Sequence, residues 1–294
     1  MASAGFLRKE RKEPGFKIRE NYKGDVCYLT FPVFDALKGF THGFSTRLGG
    51  VSEGMFASMN LTSSRGDDRE KVLENYRRLS EAGGFLLDSV VTSDQTHTTN
   101  VRIVTEKDRG SGVTKKRDFH DTDGMITNVP DVTLMIYFAD CVPLLFIDPV
   151  KRAIGLSHSG WKGTVGKMGL QTVRLMEKTY GCDPGDIYAA IGPSICRDCY
   201  EVSEDVAERF REAFSEEITE KILFKKEDAQ GKYLLDLWEA NRQIMLEAGI
   251  NPDRIEVTDI CTCCNPNLLF SHRASNGKRG NMGAFLKIDL PAGT

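Results

Sequence analysis

Apolar runs broken by turn residues mark the chain from end to end. VCYLTF (26–31), VVTSDQTH (90–97), VRIVTE (101–106) and TLMIYF (133–138) read as strands, rich in β-branched and aromatic residues. LLFID (144–148), AIGLSH (153–158), IYAAIG (187–192) and IEVTDI (255–260) continue the series. Four segments carry helical spacing instead. DDREKVLENYRRLSEAGG (67–84) opens on an aspartate cap and closes on a glycine pair. TVGKMGLQTVRLMEKTYG (164–181) ends at Gly181, and SEDVAERFREAF (203–214) starts from Ser203 as cap. DLWEANRQIMLEAG (236–249) pairs Asp236 with Glu239 in a capping-box pattern, and Gly249 and Pro252 close it. Strands with interspersed helices predict a layered α/β or α+β domain. The strands fall in hairpin-like pairs, so the expected sheet is mixed.

One stretch sets apolar patterning against chemistry. FADCVPLLFIDPVKRAIGLSHSGWKG (138–163) is mostly core-like, yet has a cysteine near one end and a histidine near the other. Asp148-Pro149-Val150-Lys151-Arg152 is a turn signal. Antiparallel pairing about it sets His158 opposite Pro143, with Cys141 as a diagonal neighbour on the same face. Pro143 cannot donate to a ladder, so pairing is expected to end there. The Ser-Gly-Trp-Lys-Gly loop then leads into a helix starting near Thr164, whose free N–H groups favour anions. A thiol and an imidazole brought together so can be a catalytic pair or two ligands of a metal. His97, at the end of the 90–97 run, is a candidate third ligand that spacing alone does not select. Two histidines and a cysteine suit zinc with an open fourth position.

Composition narrows the function classes. The 294 residues include no long Gly/Ser or Pro-rich linker, and a single domain is expected over 16–294 behind a poorly ordered segment 1–15. With a formal net charge of −3, the chain lacks the basic excess of a nucleic-acid binder, and RKERKEPGFK (8–17) intersperses glutamates among its cations. No apolar leader or membrane-length run is visible, so a cytoplasmic protein without membrane partners is expected. The eight cysteines then read as thiols or metal ligands rather than disulfides. Cys196-x-x-Cys199 and Cys261-Thr-Cys-Cys264 have metal-like spacing, and the sequence leaves open whether they hold a second ion.

Several longer motifs run through most of the chain. They are HGFSTRLGGVS (42–52), SMNLTSSRGDD (58–68), DQTH (94–97), DGMITN (123–128), FADCVPLLFID (138–148) and HSGWKG (158–163). IGPSI (191–195), CYEV (199–202) and FSHR (270–273) complete the set. In content and order they resemble the YfiH/YlmD-type family, also called the laccase-domain or "polyphenol oxidase" family. The resemblance implies one α/β domain with a central mixed β-sheet flanked by helices. It implies a zinc site made by His97, Cys141 and His158, with copper as the alternative ion. It also implies phosphorolysis of adenosine, inosine, guanosine and methylthioadenosine, together with adenosine deamination. Older descriptions of the family give copper-dependent phenol oxidation, and a role in peptidoglycan editing is associated with it. A Cys141–His158 hydrolase is the corresponding metal-free alternative.

Within these motifs, Cys141, His158, Asp140 and Arg47 are the catalytic candidates. Ser45, Arg47, Lys162 and Arg273 are candidates to hold phosphate, since arginine forks match its oxygens. Trp161 is a candidate to stack on a base, with packing as its other reading. Asp140 can orient a ligating histidine or protonate the leaving base, although in a regular strand it faces away from Cys141. The expected partners are a purine nucleoside and phosphate, with the chain a monomer or homodimer. Two departures from the family pattern are Lys162 where arginine is commoner and Ala274 where a second arginine often stands.

Overall fold

The computed structural model describes residues 3–9, 18–227 and 229–291. The expected mixed sheet is built as two facing six-stranded sheets with helices on both outer sides. The first contains β1 (Arg19–Lys23), β2 (Val26–Thr30), β3 (Phe40–Ser45), β15 (Met282–Ile288), β7 (Thr133–Phe138) and β4 (Val90–Thr92), in that spatial order. The second contains β14 (Ile255–Val257), β10 (Tyr188–Ile191), β8 (Val142–Asp148), β9 (Ala153–Ser159), β6 (Gly124–Thr127) and β5 (Val101–Ile103). Each is mixed: β4 runs parallel to β7 in the first, and β10 to β14 and β5 to β6 in the second. A small antiparallel sheet of β11 (Glu201–Ser203), β13 (Lys232–Leu235) and β12 (Leu223–Lys225) lies apart.

The layers follow from where apolar side chains point. Leu134, Ile136 and Phe138 of β7 meet Leu145 and Ile147 of β8 and Ile154 and Leu156 of β9 in one core between the sheets. Helix α1 (Arg69–Gly83) covers the outer face of the first sheet, packing Val72, Tyr76 and Leu79 on Val90, Met135 and Phe285. The outer face of the second is covered by α3 (Met168–Tyr180), α4 (Glu204–Ala213) and α6 (Leu237–Glu247). Shorter helices α2 (Trp161–Val165) and α5 (Glu216–Ile222) complete the set. Strands β8 and β9 are buried at all seven positions each. That explains their continuous apolar runs, since a strand covered on both faces has no solvent side to alternate with.

The β8–β9 register pairs Pro143 with His158, as the turn predicted, but continues one pair further through Val142 and Ser159. The proline costs the ladder nothing in its missing donor, and its carbonyl accepts from Gly192 N–H at 2.9 Å. The segment read as one helix from Thr164 is two. Helix α2 starts earlier, at Trp161, and Lys167 with φ +59° breaks the path before α3. The run 90–97 stays a strand only to Thr92. Beyond it the Gln95 side chain bonds the backbone of Tyr137 instead, donating to its carbonyl at 2.8 Å and accepting from its N–H at 3.1 Å.

Part of segment 1–15 lies along the body. Leu7 exchanges hydrogen bonds with the Asn265 side chain at 2.7 and 3.0 Å, and Arg8 pairs with Asp259 at 2.7 Å. Residues 1–2 and 10–15 of that segment lie outside the described residues. No helix of the described residues is long and apolar enough to cross a membrane.

Candidate metal centre and its cavity

The chain crosses from the first sheet to the second between Phe138, the end of β7, and Val142, the start of β8. Ala139, Asp140 and Cys141 make that corner, with Asp140 at φ +86°. A left-handed residue turns the chain sharply, and aspartate tolerates it better than a branched residue. Cys141 is thereby set at the mouth of the β8–β9 hairpin, next to His158 of β9.

His97 arrives from the other sheet, on the loop after β4. Its ring stands edge-on to His158, with centroids 5.0 Å apart. One ligand atom each from His97, Cys141 and His158 lies within 4.8 Å of the others. One buried carboxylate organises both histidines. Asp123 Oδ1 takes His158 Nδ1 at 2.8 Å, while Oδ2 accepts the N–H groups of Thr96 and Thr98, each at 2.9 Å. These two amides flank His97, so the carboxylate curls the loop around that ring, which sits at φ +66°. With Nδ1 engaged, His158 offers Nε2 to the thiol side, the tautomer a metal ligand needs.

The electrostatics follow from this crowding. Burial pushes the Cys141 thiol up, but the His158 imidazole and hydrogen bonds from both histidines outweigh it, and its pKa falls to about 6. Burial likewise lowers His158, but the Cys141 and Asp123 charges reverse that and raise it to about 9. Asp123 is held below the usual carboxylate range by its hydrogen bonds, chiefly from His158, against the opposing effect of burial. The three donors form a soft–borderline set with one thiolate and two imidazoles, and they fit a zinc-sized ion with a fourth position left for water or substrate.

Gly160 leaves room for this arrangement. A methyl group there would lie 3.1 Å from Cys141 Sγ and 3.3 Å from His97 Cδ2. Gly160→Ala is therefore expected to weaken affinity for a metal ion at this cluster about 10- to 100-fold with little change in folding, because it displaces two ligands at once by a few tenths of an ångström. Competition against a chromophoric chelator measures this; unchanged affinity would show that the ligands tolerate the push.

The cluster lies at the wall of a cavity of about 820 Å³. Its lining is strongly basic, with Arg65, Arg69, Lys115, Lys116, Arg117 and Arg279. Tyr76 and Tyr137, whose hydroxyls are hydrogen-bonded to each other, form part of the same wall. Arg117 is fixed by Asp94 at 2.7 Å and by Thr92 at 3.1 Å. Burial and nearby Arg65 lower the Arg279 guanidinium to about 10, and its Nε has no hydrogen-bond partner among the described residues.

The other candidates from the sequence are placed elsewhere. Arg47 donates to the Ala57 carbonyl at 2.8 Å and the Pro266 carbonyl at 2.5 Å, and lies 4.6 Å over the Phe270 ring. Ser45 is fully buried and accepts from Gly283 N–H at 2.9 Å. Arg273 donates to the carbonyls of Cys199 and Glu201, and exposed Lys162 lies 5.7 Å from the Trp161 ring, which packs against the helical core. None of these five residues lines the cavity. Asp140 accepts from Thr262 Oγ1 at 2.6 Å and Arg273 N–H at 2.7 Å; Asp123, rather than Asp140, orients the histidine. Asp123 stood in the DGMITN motif, but nothing local distinguished it from a turn aspartate. The basic wall gave no signal, because its residues are scattered from 65 to 279.

The comparisons with known proteins converge. The family model described as "Multi-copper polyphenol oxidoreductase laccase" matches residues 41–289. Purine nucleoside phosphorylase YlmD of Bacillus subtilis is 40% identical over 248 residues, covering 83% of this chain and 87% of its own. A purine nucleoside phosphorylase of Bacteroides thetaiotaomicron is 35% identical over 259 residues, covering 88% of this chain and 95% of its own. The crystal structure of YlmD from Geobacillus stearothermophilus superposes with a TM-score of 0.84 at 36% identity, covering 94% of this chain and all of that one. By sequence and by fold alike, the chain belongs to the YfiH/YlmD-type purine nucleoside phosphorylase family.

Proposed function

We propose that the protein is a zinc-dependent purine nucleoside phosphorylase acting on adenosine, inosine, guanosine and methylthioadenosine, with adenosine deamination as a second activity. The observation that carries this reading is the His97–Cys141–His158 cluster opening onto a cavity walled by cations. Its volume suits a nucleoside with phosphate beside it. Bound by the three ligands, zinc would supply Lewis acidity next to the purine.

The chain's own residues do the rest. Phosphorolysis breaks the C1′–N9 bond, forms a bond from a phosphate oxygen to C1′, and leaves negative charge on the departing purine. The cationic wall concentrates phosphate and holds it for attack. Arg279 is the strongest candidate for direct contact, since it lines the cavity and is partly desolvated there. Arg279→Gln is expected to raise the KM for phosphate about 10- to 100-fold, the worth of a charge-assisted hydrogen bond, with a smaller change in the KM for inosine. Equal effects on both constants would remove Arg279 from the phosphate site.

The decisive experiment is chromatography of inosine incubated with zinc-loaded protein, with and without phosphate. Hypoxanthine and ribose 1-phosphate should form only with phosphate. No hypoxanthine under either condition ends the phosphorylase reading. Adenosine supplied without phosphate tests deamination through release of inosine.

A second reading rests on the Asp123–His158–Cys141 alignment, which has the geometry of a nucleophilic triad with a lowered thiol pKa. It would make the protein a cysteine hydrolase, and cell-wall precursors are its candidate substrates. Chelation separates the two: the phosphorylase loses activity and regains it with zinc, whereas the hydrolase keeps working. Copper-dependent phenol oxidation has less support. The chain has five histidines, and His42 already accepts the Phe31 N–H at 3.0 Å. A multicopper centre needs more imidazoles than remain.

A further inference from the structure

Four cysteines that take no part in the cavity converge on the far side of Asp140. One sulfur each from Cys196, Cys199, Cys261 and Cys264 lies within 4.8 Å of all the others. A tetrahedral zinc–thiolate centre, with Zn–S of about 2.3 Å, sets its sulfurs about 3.8 Å apart. Cys199 and Cys264 are already at 3.5 Å. The four come as two Cys-x-x-Cys pairs, the spacing of structural zinc sites, on two loops that the fold brings together. One loop follows β10 and the other β14. These strands pair in parallel, and the pairing is extended by a bridge between Ser194 and Cys261.

Backbone donors point at one of the four sulfurs. Cys261 Sγ accepts two backbone N–H groups, from Cys196 at 3.2 Å and from Cys264 at 3.4 Å. The second of these runs from the last cysteine of a pair to its first, folding the pair into a knuckle with both sulfurs on one side. Cys196 and Cys261 are buried while Cys199 and Cys264 are half-buried, so an ion would be shielded yet reachable.

We propose that Cys196, Cys199, Cys261 and Cys264 bind a structural zinc ion, separate from the site at His97, Cys141 and His158. Its role is to brace the catalytic corner. Thr262, between the second pair, donates to Asp140 Oδ1, and Ile195, next to the first pair, donates its N–H to the Asp140 carbonyl at 3.0 Å. Asp140 precedes Cys141, so the tetrathiolate ties the corner between the sheets to the β10 and β14 loops. Asn265, one residue past the second pair, also holds the Leu7 backbone.

The test is metal stoichiometry by inductively coupled plasma mass spectrometry, together with cobalt substitution. Wild-type protein should carry about two zinc ions per chain, and Cys141→Ser about one. Cobalt loaded into Cys141→Ser should show the intense thiolate charge-transfer absorption of a tetrathiolate site. The Cys196→Ser/Cys199→Ser variant should lose that second ion and melt at lower temperature. The cobalt measurement on Cys141→Ser does not depend on whether this variant folds. A wild type holding a single ion that Cys141→Ser abolishes overturns the proposal. So does a disulfide among the four cysteines, found by alkylation and mass spectrometry of freshly purified zinc-replete protein.

Discussion

On the proposed zinc-dependent phosphorylase reading, Cys141→Ser is expected to lose zinc from the cavity site and about a thousandfold in phosphorolytic rate, since Lewis-acid stabilisation of developing charge is worth about 4 kcal/mol. The serine hydroxyl is a poor ligand where a thiolate stood, and two imidazoles alone hold zinc weakly. Asp123→Asn is the informative companion. It keeps the shape of the side chain but withdraws the charge from His158 Nδ1 and from the Thr96 and Thr98 amides. Zinc affinity should fall about 10- to 100-fold, and excess zinc should restore most of the rate. Stoichiometry and initial rates over a zinc titration separate the two variants. If Cys141→Ser keeps both its metal and its rate, the three-ligand centre is not the seat of the activity.

The second large effect arises outside the cavity lining and concerns stability. Glu256 of β14 is 1% exposed, its Oε2 accepts the Val33 N–H at 2.7 Å, and its Oε1 has no hydrogen-bond partner among the described residues. Burial, with Asp259 and Asp35 adding to it, raises its pKa from 4.5 to about 8. The folded state therefore keeps the proton while the unfolded state gives it up. The sign follows: the full contribution to stability is present below about pH 4.5 and is lost as pH rises to about 8. Across that window this one group should remove about 1.4 kcal/mol per pH unit. Glu256→Gln mimics the neutral acid and keeps an acceptor for Val33. It should flatten the dependence of Tm on pH and be the more stable protein at pH 8 and above. Identical Tm profiles for the two proteins would show that water or rearrangement already compensates the buried carboxylate.

Much of the fold was legible because local chemistry and global structure agree. Asp68 caps α1 as its spacing predicted, accepting from Glu70 N–H, and Asp236 caps α6, accepting from Glu239 N–H. The turn at 148–152 fixed the register that sets His158 opposite Pro143. The strand β15, at 282–288, gave no such signal, yet it lies between β3 and β7 at the centre of the first sheet. A strand buried on both faces has no alternation to announce it.

For the site, the sequence by itself determined the hairpin and the two groups at its open end, since turn residues and a period of two suffice to pair them. The motifs, through resemblance, supplied His97. Only the tertiary structure decided what these groups can do. Asp123 reaches His158 and the loop around His97 because β6 lies beside β9, an adjacency no local pattern encodes. The cationic wall assembles from segments more than two hundred residues apart, and the guanidinium of Arg47, placed in a motif, is spent on two carbonyls. The two Cys-x-x-Cys pairs likewise meet only because β10 and β14 run side by side. Spacing along a chain fixes what a residue can offer chemically; the packing of distant strands fixes which other residues it meets.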